Sequence, residues 1–159
     1  MPNQQPLHPG RQYSRKDACR LLCWDSSGAA STIYGYKVDQ ATETCPIFVT
    51  YHKAADVSSS TAYEDTLLDR QTMEWFSKSK RTVMSPDVAP IAANQVRAFV
   101  FAKKQDANGP GHYFLGEAEA SNAEETRMQD GLPVVRMHLR FDAPIDHAVY
   151  DHFNPVVMG

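Results

Sequence analysis

Three segments in the second half of the chain have the residue patterns of β-strands, and they indicate a fold built on a sheet. Residues 133–141, PVVRMHLRF, alternate apolar and charged side chains, as a strand with one buried face does. Residues 96–104, VRAFVFAKK, and residues 112–121, HYFLGEAEAS, flank the turn sequence QDANGPG, which predicts an antiparallel hairpin. Residues 122–131, NAEETRMQDG, are interpreted as a charged loop.

The first half of the chain adds a helix and two further strands. Residues 13–24, YSRKDACRLLCW, predict a short helix, because Ser14 and Asp17 have the spacing of a capping box. Residues 32–38, TIYGYKV, and residues 45–53, CPIFVTYHK, are rich in β-branched and aromatic side chains and predict strands joined by a polar hairpin loop.

The remaining segments predict mostly irregular structure and a closing helix. Residues 63–76, YEDTLLDRQTMEWF, are interpreted as a short helix or turn-rich segment, and the prolines of residues 85–95 exclude a long helix there. Residues 146–153, DHAVYDHF, predict a C-terminal helix. We therefore expect an α+β domain with a curved, largely antiparallel sheet or a small β-barrel, flanked by N- and C-terminal helices.

Composition indicates one soluble domain. The chain has 159 residues, and we expect residues 1–12 to be a flexible lead-in and residues 13–159 to form a single domain. Three sparse cysteines fit a reducing cytoplasm, and no segment is apolar enough for a signal peptide or a membrane span. The formal net charge of -3 means that any nucleic-acid site has to be a local basic patch.

The sequence offers no standard catalytic, cofactor or metal motif. The phosphate-binding loop G-x-x-x-x-G-K-[ST], the dinucleotide motif G-x-G-x-x-G, the hydrolase motif G-x-S-x-G and the metalloprotease motif H-E-x-x-H are all absent. No lysine has an acid two residues before it, and no His-x-Lys pair occurs, so common nuclease signatures are missing. Cys19 and Cys23 have no second Cys or His pair to complete a zinc site. A Ser–His–acid triad needs no sequence proximity and stays an open alternative; we assign no catalytic residue, cofactor or metal.

Aromatic, cationic and hydroxyl side chains are mixed in residues 72–85, TMEWFSKSKRTVMS, and again in residues 49–53, VTYHK. Aromatic rings stack on bases, while cations and hydroxyls bind phosphates. Acidic residues concentrate in residues 117–130, which predicts a polarised surface. Two alternatives stay open, because Trp75 suits a core and residues 78–81 suit a solvated loop. The candidate DNA contacts are Tyr36, Thr50, Tyr51, His52, Lys53, Trp75, Ser77, Lys78, Ser79, Arg81, Thr82, Lys103, Lys104 and Tyr113.

An ordered set of motifs, GYK, IFVTYHK, YED, W-x-S-x-S-x-R-T and YFLGE, resembles one protein family over residues 13–153. The family is the C-terminal domain of unknown function of SauUSI-type restriction enzymes, which carry a phospholipase-D-like nuclease and a DEAD/DEAH helicase. The resemblance implies a DNA-recognition module for type IV, modification-dependent restriction, with nuclease and ATPase chemistry on other domains or partners.

The resemblance therefore leads us to expect a domain that recognises 5-methylcytosine or 5-hydroxymethylcytosine in double-stranded DNA. An apolar contact in the major groove could read the modification, or the base could be flipped between aromatics, for which Tyr36, Tyr51 and Trp75 are the candidates. By analogy, flipping favours a fold of the SRA or PUA-like kind. The alternatives are a protein-interaction module that docks on a helicase or nuclease without touching DNA, and a small enzyme acting on nucleotides or modified bases.

Overall fold

The computed structural model describes residues 7–22, 35–51, 66–104, 111–128 and 131–153. It contains three short helices and seven strands in these ranges. In chain order the elements are β1 (Gln12–Tyr13), α1 (Arg15–Leu21), β2 (Thr44–Tyr51), β3 (Thr66–Leu67), β4 (Thr72–Phe76), α2 (Ala89–Ala92), β5 (Arg97–Lys104), β6 (His112–Arg127), β7 (Pro133–Phe141) and α3 (His147–Phe153).

The strands form one mixed sheet in the order β2-β5-β6-β7-β4-β3, with β1 paired to β6. β2 and β5 are parallel, and the other pairs are antiparallel. The predicted α+β class and the largely antiparallel, curved sheet are therefore confirmed, and of the two predicted forms, curved sheet or small β-barrel, the structure has the open sheet. Among the helices of the described ranges, none has the length and apolar character needed to cross a membrane.

The two faces of the sheet bury two separate clusters of apolar side chains. On one face, α1 places Ala18, Cys19 and Leu22 against four phenylalanines of the sheet, and Phe48 stacks on Phe101 with ring centroids 4.9 Å apart. The other face buries Ala98, Val100 and Ala102 of β5 together with residues of β4 and β7. Because β5 is covered on both faces, its sequence is a continuous apolar run rather than an alternating one.

The N-terminal helix begins where the sequence predicted. The Ser14 side chain accepts a hydrogen bond from the Asp17 backbone N–H at 3.1 Å, so it satisfies one of the unpaired donors of the first turn. The helix ends at Leu21 with Leu22 as its C-cap, and the last two residues of the predicted helix, 23 and 24, lie outside the described residues.

Three predictions of secondary structure were wrong. The described part of the predicted strand over residues 32–38 holds only an isolated bridge, between Tyr36 and Ile47, because Gly35 with its positive φ of 81° interrupts the extended backbone. The segment interpreted as helix or turns contains β3 and β4, in which Met73 and Trp75 face the core and Glu74 does not. The segment interpreted as a charged loop continues β6 as far as Arg127. There a register shift between Ser121 and Glu124 realigns the strand, and Glu124 forms an ion pair with Arg136 of β7. Cross-strand partners thus outweigh the low strand propensity of these polar residues.

Candidate nucleic-acid interface

A pair of aromatic rings joins the two sides of the curved sheet. Tyr36 forms an isolated antiparallel bridge with Ile47 of β2, and its ring meets Trp75 of β4 edge to face, with centroids 4.9 Å apart. β2 and β4 are not neighbours in the strand order, so this contact connects distant strands. Tyr36 is 3% exposed and Trp75 is 2% exposed, so both rings lie in the core in this conformation.

Lys78 lies directly over the Tyr36 ring. Its Nζ is 4.8 Å from the centre of the Tyr36 ring and donates a hydrogen bond to the Tyr36 carbonyl oxygen at 3.2 Å. Its backbone N–H also donates to the Tyr36 hydroxyl at 3.3 Å. Burial raises the pKa of Tyr36 above the ordinary range for a phenol, so the hydroxyl stays neutral. The half-buried Lys78 is thus held at the edge of the sheet by Tyr36.

Ser77 points into the protein, which corrects its assignment as a DNA contact. Only 7% of the residue is exposed. Its hydroxyl accepts a hydrogen bond from the Val135 backbone N–H and donates one to the Lys78 carbonyl oxygen, each at 2.9 Å. Two features explain this orientation. Ser77 pairs with β7, and it continues the alternation of the buried residues Met73 and Trp75, since every second residue of a strand faces the same side.

Residues 78–82, the basic segment, cross the end of β7. The N–H of Lys80 donates to the carbonyl oxygen of Pro133 at 2.7 Å, and Lys80 has a positive φ of 62°. Arg81 Nε donates to both carboxylate oxygens of Asp87, at 3.0 and 2.9 Å, and the hydrogen bond with Asp87 raises the pKa of Arg81. Arg81 is therefore neutralised within the chain, whereas the exposed Lys80 has no ionic partner among the described residues.

A tight turn follows the basic segment and presents an apolar side chain to solvent. The Thr82 backbone N–H donates to Ser85 Oγ at 2.9 Å, and the Met84 backbone N–H donates to Thr82 Oγ1 at 3.3 Å. Met84 is 79% exposed. Glu125 of β6 accepts the Val83 N–H at 3.1 Å, so an acidic side chain reaches this turn. The predicted separation of acids from the basic segment was wrong, because β6 continues alongside it.

A second group of candidates lies where β2 and β5 end. Thr50 of β2 pairs with Lys103 of β5, and Tyr51 pairs with Lys104. Tyr113 of β6 lies across from Ala102 of β5. Thr50 is exposed and the two lysines are half-buried. Because β2 and β5 are parallel, both strands bring their polar last residues to the same end of the sheet.

Other candidates in this part of the chain have structural neighbours or lie beyond the described ranges. The Tyr113 ring packs edge to face on His152 and Phe153 of α3, with centroids 5.0 and 5.9 Å apart. His52 and Lys53 lie outside the described residues, and only the backbone of Tyr51 is described.

The sheet register separates these two groups of candidates. In the strand register the second group lies beside Tyr113, near the start of β6. Ser77 lies beside Val135 of β7, which pairs with Glu125 near the end of β6. The candidates therefore lie in two separate groups, one at the end of β4 and one at the ends of β2 and β5.

The described residues hold no cluster of metal ligands. No three His, Cys, Asp or Glu side chains of the described ranges converge in a way that could bind a metal ion. A cleft of about 400 Å³ lies between α1 and the sheet and is lined mainly by apolar side chains. Arg97 and Glu117 form an ion pair of 2.8 Å at its rim, and neither supplies a nucleophile.

The sequence profile of a family described as a domain of unknown function (DUF3427) matches residues 7–153. The chain belongs to this family. No curated protein matches the sequence of this chain.

Solved structures similar to this DUF3427 domain include SRA domains and larger proteins that contain a matching region. The SUVH5 SRA domain in complex with fully methylated CG DNA has a TM-score of 0.57 and 12% identity, and the match covers 91% of this chain and 97% of that one. The SUVH5 SRA domain bound to fully hydroxymethylated CG DNA has the same score and identity, with coverage of 91% and 95%. Arabidopsis thaliana SUVH6 in complex with SAM has a TM-score of 0.58 and 12% identity over 88% of this chain, which spans 27% of SUVH6. These likenesses confirm the SRA-like fold.

Sequence reasoning did not include two exposed residues of this region, Lys80 and Met84. Lys80 stands in the run of cations, and its exposure depends on the positive φ that turns the backbone beside Pro133. For Met84 the available signal was its position between Thr82 and Ser85, whose hydroxyls favour a turn.

Proposed function

We propose that this DUF3427 domain binds double-stranded DNA and selects sites that contain 5-methylcytosine or 5-hydroxymethylcytosine. The observation that carries the proposal is the SRA fold over about nine-tenths of the chain, shared with SRA domains solved on methylated and hydroxymethylated DNA. The local chemistry supports it, because cations and hydroxyls lie next to an aromatic pair at the edge of the sheet.

The basic segment supplies the phosphate contacts in this proposal. Lys78 and Lys80 provide positive charge, and Ser79 and Thr82 provide hydrogen-bonding groups beside them. Arg81 acts indirectly, because its ion pair with Asp87 fixes the segment. Lys103 and Lys104, with Thr50, supply a second contact region on the duplex. A protein of net charge -3 needs such local regions to bind a polyanion.

Tyr36 and Trp75, with Tyr51, are the aromatic side chains proposed to recognise the modified base. In the described conformation Tyr36 covers an edge of Trp75, so a flipped base reaches Trp75 only if Tyr36 and Lys78 move aside. If they stay in place, Trp75 supports the binding edge from inside and the modification is read in the major groove.

Tryptophan fluorescence separates these two modes of reading. The sequence has two tryptophans, so Trp24→Phe leaves Trp75 as the sole tryptophan. Stacking of a flipped base predicts quenching of Trp75 by the modified duplex but not by the unmodified one. Equal emission in the two complexes supports groove reading.

The proposed biological role is that of a non-catalytic recognition module in the cytoplasm. The domain would direct nuclease and helicase activities of other domains or subunits to modified DNA, as in type IV restriction. Its polar groups at the sheet edge bind and orient DNA and do not cut it.

The test is a binding titration with three matched duplexes, carrying unmodified, methylated or hydroxymethylated cytosine, at physiological salt. We expect at least one modified duplex to bind more tightly than the unmodified duplex by about tenfold, since good base discrimination amounts to 1–3 kcal/mol. Equal affinity for all three refutes selection of the modification. Absence of any DNA binding, together with capture of a helicase or nuclease, supports the alternative of a protein-docking module.

A further inference from the structure

An open cleft at the start of β4 lies outside both groups of candidate DNA contacts. It has a volume of about 580 Å³, and two arginines, Arg70 and Arg140, line it together with Pro144 and Tyr150. The basic segment crosses β7 beside Pro133, so along β7 the cleft lies about 23 Å from that segment, at the rise of an extended strand. The other group of candidates, on β2 and β5, is at the opposite edge of the sheet.

Arg70 is held in the cleft by hydrogen bonds that leave part of its guanidinium available. Its Nε donates to the Ile145 carbonyl oxygen at 2.9 Å, and the Ile145 N–H donates to the Arg70 carbonyl oxygen at 2.6 Å. The side-chain amide of the next residue, Gln71, donates to the Phe141 carbonyl oxygen at 3.0 Å. Within the described ranges the two Nη groups of Arg70 have no hydrogen-bond partner. The fork of this arginine is therefore positioned before a ligand binds.

Arg140 supplies a second guanidinium that is not neutralised by its neighbours. It is exposed and lies across from Thr72 in the pairing of β7 with β4. Glu119 of β6 is its neighbour on the other side, and Asp69 lines the cleft. Neither acid forms an ion pair with Arg140 in the part of the chain that the structure describes, and Asp69 Oδ1 instead accepts the Gln71 N–H at 2.7 Å. Arg140 is therefore available to an anionic ligand.

The groups around the two arginines are typical of a contact between proteins. The Tyr150 ring packs against the core at the wall of the cleft, and Leu68, in the same turn as Asp69, is 49% exposed. Protein interfaces are enriched in arginine and tyrosine and depleted in lysine, and the described residues that line this cleft include no lysine. The carboxylate of Asp69 also disfavours a continuous polyanion more than it disfavours a single carboxylate. These features favour an acidic peptide over a DNA backbone.

We propose that this cleft binds an acidic segment of a partner protein. A carboxylate of that segment lies between Arg70 and Arg140, and an apolar side chain beside it contacts Leu68. The planar fork of arginine matches a carboxylate through two parallel hydrogen bonds. The chemical class of the ligand is a peptide that contains Asp or Glu next to an apolar residue. The inference goes beyond the proposed function, because the site is separate from the DNA contacts and binds its ligand with or without DNA.

Selection from a display library of random peptides tests the proposal without assuming a partner sequence. Peptides that bind the wild type but not Arg140→Ala should be enriched in Asp or Glu next to an apolar residue. In fluorescence polarisation, Arg140→Ala should weaken binding of the most enriched peptide about tenfold, because a hydrogen-bonded charge pair is lost. Arg140→Lys keeps the charge without the fork, so its affinity should be intermediate. Arg20→Ala removes an exposed arginine of α1 and is the matched control.

The same variants are titrated with the modified duplex, and Arg140→Ala should retain the wild-type affinity for DNA. Selected peptides without acidic enrichment, or equal affinities of the wild type and Arg140→Ala for the selected peptide, refute the docking site. If no acidic peptide is recovered and Arg140→Ala weakens duplex binding, the cleft belongs to the DNA interface, so the docking site is overturned and the proposed function stands. A wild type that binds acidic peptides but no DNA overturns the proposed function and supports the docking site.

Discussion

Replacing Ser77 by alanine should destabilise the domain without altering its selection of modified DNA. The substitution removes the hydroxyl that accepts from the Val135 N–H and donates to the Lys78 carbonyl oxygen. Val135 is fully buried, so its N–H has no access to water once the acceptor is lost. A buried donor left without a partner costs roughly 1–3 kcal/mol, and we expect a loss of about 2 kcal/mol.

Urea unfolding followed by circular dichroism measures this loss. For a domain of this size, about 2 kcal/mol corresponds to a fall in melting temperature of roughly 4–8 °C. In urea the midpoint should fall by about 1 M with an unchanged slope. Ser79→Ala is the matched control, because Ser79 is half-buried and only its carbonyl oxygen, which alanine keeps, receives a described hydrogen bond.

The result that would refute this reasoning is a Ser77→Ala variant as stable as Ser79→Ala. A second measurement separates structure from DNA contact. At a temperature where both variants are folded, Ser77→Ala should retain the wild-type ratio of affinities for modified and unmodified duplexes. Loss of that ratio at full folding would restore Ser77 as a direct contact.

Two further predictions concern charge. Lys80→Ala should reduce the magnitude of the slope of the logarithm of the DNA-binding constant against log salt by about 1, because one phosphate contact is lost. Lys16→Ala, on the exposed side of α1, is the control and should leave the slope unchanged. Equal slopes for the two variants would remove Lys80 from the interface. Burial raises the pKa of the Cys19 thiol to about 11 from 9.0 and also raises the pKa of the Cys45 thiol. Because the folded domain favours the neutral thiols, the free energy of unfolding should fall as pH rises from 9 towards 11. Peptide mass spectrometry should find both cysteines protected from iodoacetamide at pH 8 in the folded domain and alkylated in urea; alkylation of the folded domain would contradict this.

Local patterns predicted those elements whose signals are contained in a few neighbouring residues. The capping residues of α1, the hairpin of β5 and β6 and the alternation of β7 are of this kind. The parallel pairing of β2 with β5 was not predicted, because the partner strand starts far along the chain and no turn fixes the register. The second half of β6 is a strand because Arg136 and neighbouring residues of β7 pair with it.

The candidate interface shows the same division. The cations and hydroxyls of the basic segment were visible in the sequence, but the neutralisation of Arg81 by Asp87 depends on how the chain turns back between them. The inward orientation of Ser77 was readable in principle. It continues the period-two series of Met73 and Trp75, and the interpretation of residues 63–76 as a short helix or turn-rich segment concealed this series.

The strand order also has a consequence for how the domain folds. β5, β6 and β7 are consecutive in the chain and adjacent in the sheet, so they can form first as a local meander. The contact between Tyr36 and Trp75 requires both β2 and β4 to be in place, and each docks on a partner far away in the sequence. We therefore expect β2 and β4 to join the sheet late and to separate from it first. Backbone amides of β4 should then exchange hydrogen faster than those of β6. The region proposed to accommodate DNA would then be the part of the sheet that opens at least cost, while the meander stays folded.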